Sequence, residues 1–124
     1  LTDAALINGI LNDDYFLGGR IKLKKELSIK SIKTISSKLK MDENNSASSI
    51  IDVVTQNMSQ EIKNLTIRQG INPNKSVIIA GGGASGINII DLARNLGCKK
   101  VLMPDLGPVL SSSGGIIANV SEYI

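Results

Sequence analysis

Histidine is absent from this sequence, and aromatic residues and cysteine are scarce. Without histidine, the chain lacks the commonest general base and the commonest metal ligand, and it cannot build a Ser/His or Cys/His nucleophile. Its only aromatic residues are Tyr15, Phe16 and Tyr123, which disfavours stacking on nucleobases. A single cysteine, Cys98, excludes an internal disulfide. We therefore predict no catalytic residue, no metal site and no nucleic-acid partner for this chain.

Long apolar runs are also missing. No stretch approaches the ~20 residues needed to span a bilayer, and no secretory signal pattern is present. We therefore expect a cytoplasmic protein without a membrane partner. The net charge of +3 comes mainly from lysines in residues 20–40, which surround a helix with one apolar stripe and are typical of a solvated face. Because the chain begins with Leu1, inside what looks like a helix start, we expect it to be a piece of a longer protein.

Residues 1–75 are predicted to form a helical segment with three helices. Thr2 or Asp3 is a candidate cap for the first helix, and Ser28 for the second. An alternating stretch at residues 21–24 is compatible with a short edge strand. The third helix is predicted over residues 47–69, where apolar residues recur at helical spacing. Its predicted stripe consists of Ala47, Ile50, Ile51, Val54, Met58, Ile62, Leu65 and Ile67.

Residues 76–124 show a βαβα pattern. Strands are predicted over 76–80 and 101–103, and helices over 86–96 and from residue 111 to about 120. Because crossovers between strands of one sheet are right-handed, the two strands are expected to be parallel neighbours. The fold class is therefore α/β: a helix-rich fragment with a small parallel βαβα unit, the two segments together forming one domain fragment.

The most informative motif is the glycine loop, residues 81–86, which lies between the first strand and its helix. Glycine has no Cβ, so the backbone can adopt positive φ and approach a ligand closely, while the first N–H groups of the next helix lack partners. A nucleotide is the first ligand that this pattern indicates. The alternative, that the glycines only allow the helix to pack tightly on its strand, has about equal weight on the motif alone.

Two further alternatives follow from the residues. Gly81, Gly83 and Gly86 satisfy the GxGxxG pattern and Asp105 follows the second strand, which would suit a piece of a dinucleotide-binding domain. However, only two strands can be recognised where such a domain needs three. The amphipathic helix predicted over residues 47–69 also suits a non-catalytic helical module that binds another subunit.

Several motifs agree in order with one known family. The chain resembles the carboxyl-terminal part of the hydantoinase/5-oxoprolinase A-type subunits, a family that includes subunits of acetone and acetophenone carboxylases. The matching stretches are Thr2-Asp3-Ala4, Asp14-Tyr15-Phe16-Leu17-Gly18-Gly19-Arg20, Arg68-Gln69-Gly70 with Pro73, Gly82-Gly83-Ala84, Leu92-Ala93-Arg94-Asn95-Leu96-Gly97, Val101-Leu102-Met103-Pro104 through Gly107, Val109-Leu110-Ser111, and Gly114-Gly115.

This resemblance implies an actin/sugar-kinase-like ATPase fold in a full-length ATP-dependent amidohydrolase of the hydantoinase (N-methylhydantoinase) type, or alternatively a ketone carboxylase subunit. It implies ATP and Mg²⁺ as cofactors, with Mg²⁺ bound mainly outside this segment. The implied partners are a cyclic amide substrate and a B-type subunit in a homo- or hetero-oligomer. By position, Gly82 and Gly83 match a glycine pair that approaches adenosine, and we expect Ala84, Ser85 and Asn88 to contribute. Asn88 replaces a histidine of many members and cannot act as an acid or base near neutral pH.

Overall fold

The computed structural model describes residues 1–118, so the end of the helix predicted from residue 111 to about 120 lies outside the described residues. The chain divides into two compact units, Leu1–Glu61 and Ile62–Ile124. This boundary lies inside the third helix, where Ile62 packs with the residues of the second unit. Within residues 1–118, no helix is both long and apolar enough to cross a membrane.

Three helices build the first unit: α1 (Thr2–Ile7), α2 (Lys25–Leu39) and the first part of α3 (Glu43–Arg68). Each of them contributes aliphatic side chains to one buried cluster, which contains Ala4, Ile7, Ile32, Ala47 and Ile51. The edge strand predicted at residues 21–24 is reduced to a single antiparallel bridge between Phe16 and Ile21. Aliphatic packing between helices, without aromatic residues, therefore stabilises this unit.

Helices α2 and α3 both begin before their predicted starts. Ser28 is buried inside α2 and donates a hydrogen bond of 2.6 Å to the Asp3 carboxylate, so it does not cap the helix. Asp42 caps α3 instead, because its carboxylate accepts the Asn45 backbone N–H at 2.8 Å. This hydrogen bond holds the pKa of the exposed Asp42 carboxyl below its ordinary value. As a result, α3 begins at Glu43, before the predicted residue 47.

The buried face of α3 also differs from the predicted apolar stripe. Met58, Leu65 and Ile67 are exposed, whereas Thr55 and Ser59 are buried. These two hydroxyl groups are satisfied within the helix, since each donates to the backbone carbonyl four residues earlier, at 2.8 Å and 2.7 Å. A short hydroxyl side chain that bonds its own helix can be buried without an unsatisfied polar group.

The second unit contains a parallel two-stranded sheet, formed by β1 (Val77–Ile79) and β2 (Lys100–Leu102). Ile78 pairs with Val101 in the register. Helix α4 (Ile89–Leu96) connects the strands, and α5 (Leu110–Ile117) follows β2. The predicted parallel βαβα order is confirmed.

One face of this sheet carries the core of the second unit. Ile78 and Val101 pack on it together with aliphatic residues of α4, in a cluster built on Ala80, Ile89, Leu92 and Leu96. On the other face, Val77, Ile79 and Leu102 are exposed. The side chains therefore alternate along each strand between the core and the open face.

Candidate functional site

The glycine loop leaves β1 at the carboxyl end of the parallel sheet. The sheet pairing continues by one hydrogen bond, from the Ala80 N–H to the Leu102 carbonyl at 2.9 Å. The chain then turns at Gly82, whose φ of +99° is a conformation that favours glycine. The Gly82 N–H donates a hydrogen bond of 2.7 Å to the carbonyl of Gly107, in the segment that follows β2. The loops after the two strands therefore meet at one edge of the sheet.

The middle of the glycine loop is open. Among residues 1–118, a Cβ added at Gly82, Gly83 or Gly86 would meet no heavy atom within 4 Å. In the described part of the chain, the backbone N–H groups of Gly83 and Ala84 donate no hydrogen bond, and both residues are exposed. The loop therefore offers bare backbone and two adjacent donors to a ligand from solvent.

Gly81, at the start of the loop, has a different environment. Its added Cβ would lie 2.8 Å from Cδ2 of Leu110, closer than real Cβ contacts allow. At Gly81, therefore, the absence of a side chain leaves room for Leu110, which lies after β2 and not in the helix that follows the loop. At Gly82 and Gly83 the space remains available, as the ligand interpretation requires.

Ser85 and Asn88 lie where the loop turns into α4. A single 3₁₀ turn, Ser85–Ile87, precedes the helix, which is why α4 begins later than predicted. The Ser85 hydroxyl donates to the Gly82 carbonyl at 2.8 Å, so it closes the loop on itself. Asn88 is the residue before α4, and only 6% of it is exposed. Ser85 and Asn88 are thus more enclosed than Gly83 and Ala84.

Helix α4 ends in the way that its sequence predicts. Gly97 adopts φ +70° directly after Leu96, and its N–H bonds back to the helix. The added Cβ of Gly97 would run into Oδ1 of Asn74. Cys98 follows, and its thiol donates to the Pro73 carbonyl at 2.9 Å. Cys98 therefore has a packing and hydrogen-bonding role in this unit.

Two residues near the glycine loop were missed by the sequence analysis. The carbonyl of Gly107 accepts a hydrogen bond from the Gly82 N–H, and the side chain of Leu110 lies beside Gly81. The sequence contains a signal for the first of them, since a Gly-Pro pair at residues 107–108 directly after a strand is typical of a tight turn. It contains no local signal for Leu110, because that contact joins residues far apart in the chain.

A pocket of about 260 Å³ lies within the first unit. It is lined by Leu6, Gly9, Leu11, Asn12, Asp13 and Lys25, and none of the predicted site residues is among them. Within residues 1–118, no three or more histidine, cysteine, aspartate or glutamate residues are grouped to hold a metal ion. The glycine loop remains the place where the predicted ligand-binding residues come together.

Comparison with known proteins identifies the family. The sequence model of the hydantoinase/oxoprolinase family matches residues 1–124. The chain belongs to this family. The resemblance predicted from the separated motifs is therefore confirmed over the whole sequence.

Two relatives of this hydantoinase/oxoprolinase chain are similar in sequence and structure. The alpha subunit of caprolactamase from Pseudomonas jessenii is 33% identical over 121 residues, which cover 97% of this chain and 17% of that subunit. The crystal structure of the ATP-dependent caprolactamase from the same organism gives a TM-score of 0.82 at 33% identity, over 96% of this chain and 17% of that one. Nucleotide-free acetone carboxylase, from work on ATP-dependent acetone carboxylation, gives a TM-score of 0.84 at 26% identity, over 91% of this chain and 16% of that one.

These similarities confirm the fold class. Both solved relatives are ATP-dependent enzymes, and the helix-rich chain with its small parallel sheet is consistent with an α/β ATPase-like fold. The chain spans about one sixth of their length, since 17% of the caprolactamase chain and 16% of the acetone carboxylase chain are covered.

Proposed function

We propose that this chain supplies the adenosine side of the ATP site in an ATP-dependent subunit of the hydantoinase/oxoprolinase type. The observation that carries the proposal is the open middle of the glycine loop, where two exposed N–H groups, of Gly83 and Ala84, have no partner among the described residues. The carboxyl end of a parallel sheet is where α/β proteins bind nucleotides. The ATP dependence of the solved relatives supports the choice of ATP.

The residues of the proposed site have two kinds of role: some admit or bind the nucleotide, and the others hold the loop. Gly82 and Gly83 let the nucleotide approach the backbone, since a Cβ at either position would project into the open space. Gly83 and Ala84 donate N–H groups to oxygen atoms of the ligand. Ser85 keeps the loop closed through its hydrogen bond to the Gly82 carbonyl. Asn88, which is almost fully buried, supports the loop at the start of α4.

The proposed reaction is ATP-dependent hydrolysis of a cyclic amide. Bound ATP supplies the phosphoryl group that activates the carbonyl oxygen of the substrate. The contribution of this chain is to orient the nucleotide, because positioning and charge stabilisation dominate catalysis of phosphoryl transfer. We place the Mg²⁺ ligands outside this chain, and we expect the chain alone to be inactive.

Carboxylation of a ketone is the second candidate reaction, which the similarity to acetone carboxylase favours. Both reactions use the same nucleotide site, so the glycine loop does not discriminate between them. ATP consumption by the full-length protein, measured with a lactam and then with a ketone plus bicarbonate, distinguishes the two.

We also propose a B-type partner subunit, which native mass spectrometry of the purified protein would detect as a stable complex.

The variant Gly83→Val in the full-length protein tests the nucleotide site. We expect the fold to be retained, because the added Cβ meets no atom of the described residues within 4 Å. We expect weaker ATP binding, because the branched side chain occupies the space of the ligand. Overpacking of this kind costs about 1–3 kcal/mol, which corresponds to about 5- to 150-fold in the dissociation constant. Isothermal titration calorimetry measures this change.

Gly114→Val is the matched control, since Gly114 lies in α5 and its added Cβ also meets no atom within 4 Å in the part of the chain that the structure describes. ATP affinity in this control should equal that of the unmodified protein. Unchanged ATP affinity in Gly83→Val would make the glycine loop purely structural. Tight binding of NADH would instead support the dinucleotide alternative, and binding of a partner subunit without any nucleotide response would support the helical interaction module.

A further inference from the structure

The segment after β2, residues 104–110, is in contact with the base of the glycine loop, and we call it the support segment. Its central residue, Gly107, is buried, whereas Gly81, Gly82 and Gly83 are exposed. The Gly107 carbonyl accepts the Gly82 N–H at 2.7 Å, and the Gly107 N–H donates to the Pro104 carbonyl, also at 2.7 Å. The N–H and the carbonyl group of Gly107 therefore both form hydrogen bonds, the first within the support segment and the second to the glycine loop.

Two close approaches join the support segment to the chain around β1. The Leu110 side chain lies over Gly81, with its Cδ2 atom 2.8 Å from the position of an added Cβ. At Gly107 an added Cβ would lie 3.3 Å from the Ala80 carbonyl oxygen. The added Cβ atoms of Gly82 and Gly83 meet no atom of residues 1–118 within 4 Å. The loop is therefore held from the Gly81 side and left free in its middle.

This arrangement determines how much order the loop has before a ligand arrives. Gly82 has a φ of +99°, and glycine has the largest conformational freedom of any residue, so an unsupported loop would populate many conformations. Ordering a loop on binding lowers affinity, and a loop that is already ordered avoids this cost. The hydrogen bond from Gly82 to Gly107 and the contact of Leu110 with Gly81 both favour a single conformation.

We propose that Gly107 and Leu110 are positioning residues for nucleotide binding: they hold the glycine loop in its binding conformation without contacting the ligand. This inference rests on the proposed function, because it assigns a role in the same ATP site. Leu110 has 37% of its surface exposed, and it is not a member of the buried cluster of this unit. Its truncation therefore removes the loop contact while the core of the unit is retained.

The experiment uses Leu110→Ala and Gly107→Ala in the full-length protein, with ATP titrated by calorimetry. We expect the ATP dissociation constant to rise about 5- to 30-fold, the factor that corresponds to ordering one backbone residue on binding. Leu110→Met should restore most of the affinity, because its side chain still reaches Gly81. Ile116→Ala is the control, since it also truncates an aliphatic residue of α5 but one that is 85% exposed.

A second measurement separates positioning from general destabilisation. Hydrogen exchange of the amide at position 82 should become faster in Leu110→Ala, because the hydrogen bond to Gly107 opens more often. In calorimetry, a merely structural role lowers the fraction of protein that binds and leaves the dissociation constant of the remainder unchanged. A positioning role raises the dissociation constant at unchanged stoichiometry. Should Gly107→Ala fail to fold, Leu110→Ala alone decides the question.

The outcomes distinguish this inference from the proposed function. If Gly83→Val weakens ATP binding while Leu110→Ala and Gly107→Ala leave both affinity and exchange unchanged, the positioning role is overturned and the ATP site stands. If Gly83→Val also leaves ATP binding unchanged, the proposed function fails and the positioning role fails with it. Weaker binding in all three variants, with rescue by Leu110→Met, supports both.

Discussion

Replacement of Gly82 by alanine tests whether the glycine loop depends on the backbone conformation of Gly82. Gly82 holds φ at +99°, yet its added Cβ would meet no heavy atom of the described chain within 4 Å. The substitution therefore introduces backbone strain without a steric clash. For an L-residue held at positive φ, this strain is about 1–2 kcal/mol, which is roughly a 5- to 30-fold change in an equilibrium constant.

The strain can appear in two measurable quantities, depending on how the free loop responds. If the loop keeps its conformation, the strain weakens the hydrogen bond between the Gly82 N–H and the Gly107 carbonyl, and the loop opens more easily. If the free loop relaxes to another conformation, the strain returns on binding and reduces ATP affinity. In either case, we expect the two losses together to reach at least about 1–2 kcal/mol, since the Cβ at position 82 also projects towards the proposed ligand.

Hydrogen exchange at position 82 measures the first loss, and calorimetry with ATP measures the second, both on the full-length protein. In hydrogen exchange, Gly82→Asn should show a smaller loss than Gly82→Ala, because asparagine adopts positive φ more readily than alanine. Gly114→Ala is the matched control, since Gly114 lies in α5, outside the proposed site, and has no left-handed φ. If Gly82→Ala changes neither exchange nor affinity, the loop does not depend on the conformation of Gly82 and the argument is refuted.

Two predictions concern helix ends. Asp42→Ala removes the acceptor of the Asn45 N–H, so the first turn of α3 should fray. Because folding lowers the pKa of Asp42, its stabilisation is present above the ordinary pKa of about 4 and is lost as the pH falls through the lower folded value. The thermal midpoints of the two proteins should therefore differ at neutral pH and converge in acid, and a constant difference would contradict the cap. Gly97→Ala should cost about 1–2 kcal/mol from positive φ, plus a contact with Asn74 that Asn74→Ala relieves. Hydrogen exchange of the Cys98 amide in the single and double variants measures both parts, and equal costs in the two backgrounds would rule out the contact.

The sequence predicted the elements whose signals are local. The glycine loop between a short apolar run and a helix pattern marked the βα turn, and Gly97 marked the end of α4, because glycine alone adopts these conformations at low cost. The parallel pairing of β1 with β2 followed from the handedness of crossovers. Four of the five predicted site residues lie in the glycine loop, so local chemistry was sufficient to bring them together.

Helix starts and the buried face of α3 could not be predicted in the same way. Ser28 is a residue type that favours helix caps, but its hydroxyl donates a hydrogen bond to the Asp3 carboxylate, and α2 begins before it. Thr55 and Ser59 are buried because each bonds its own helix backbone, which a count of apolar spacing does not detect. For Ser28 the deciding interaction is a tertiary contact, and for Thr55 and Ser59 it is a local hydrogen bond. Neither can be predicted from residue preference or apolar spacing.

By itself, the sequence determined the family, the α/β class and the position of the glycine loop, because each can be recognised from the order and spacing of residues along the chain. Only the tertiary structure decided which glycines lie against another side chain and which face open space. Leu110 fills the space beside Gly81, and Gly107 binds the Gly82 N–H, whereas Gly83 faces open space. Such contacts join residues that lie far apart in the chain, and their geometry exists only after the two strands have paired.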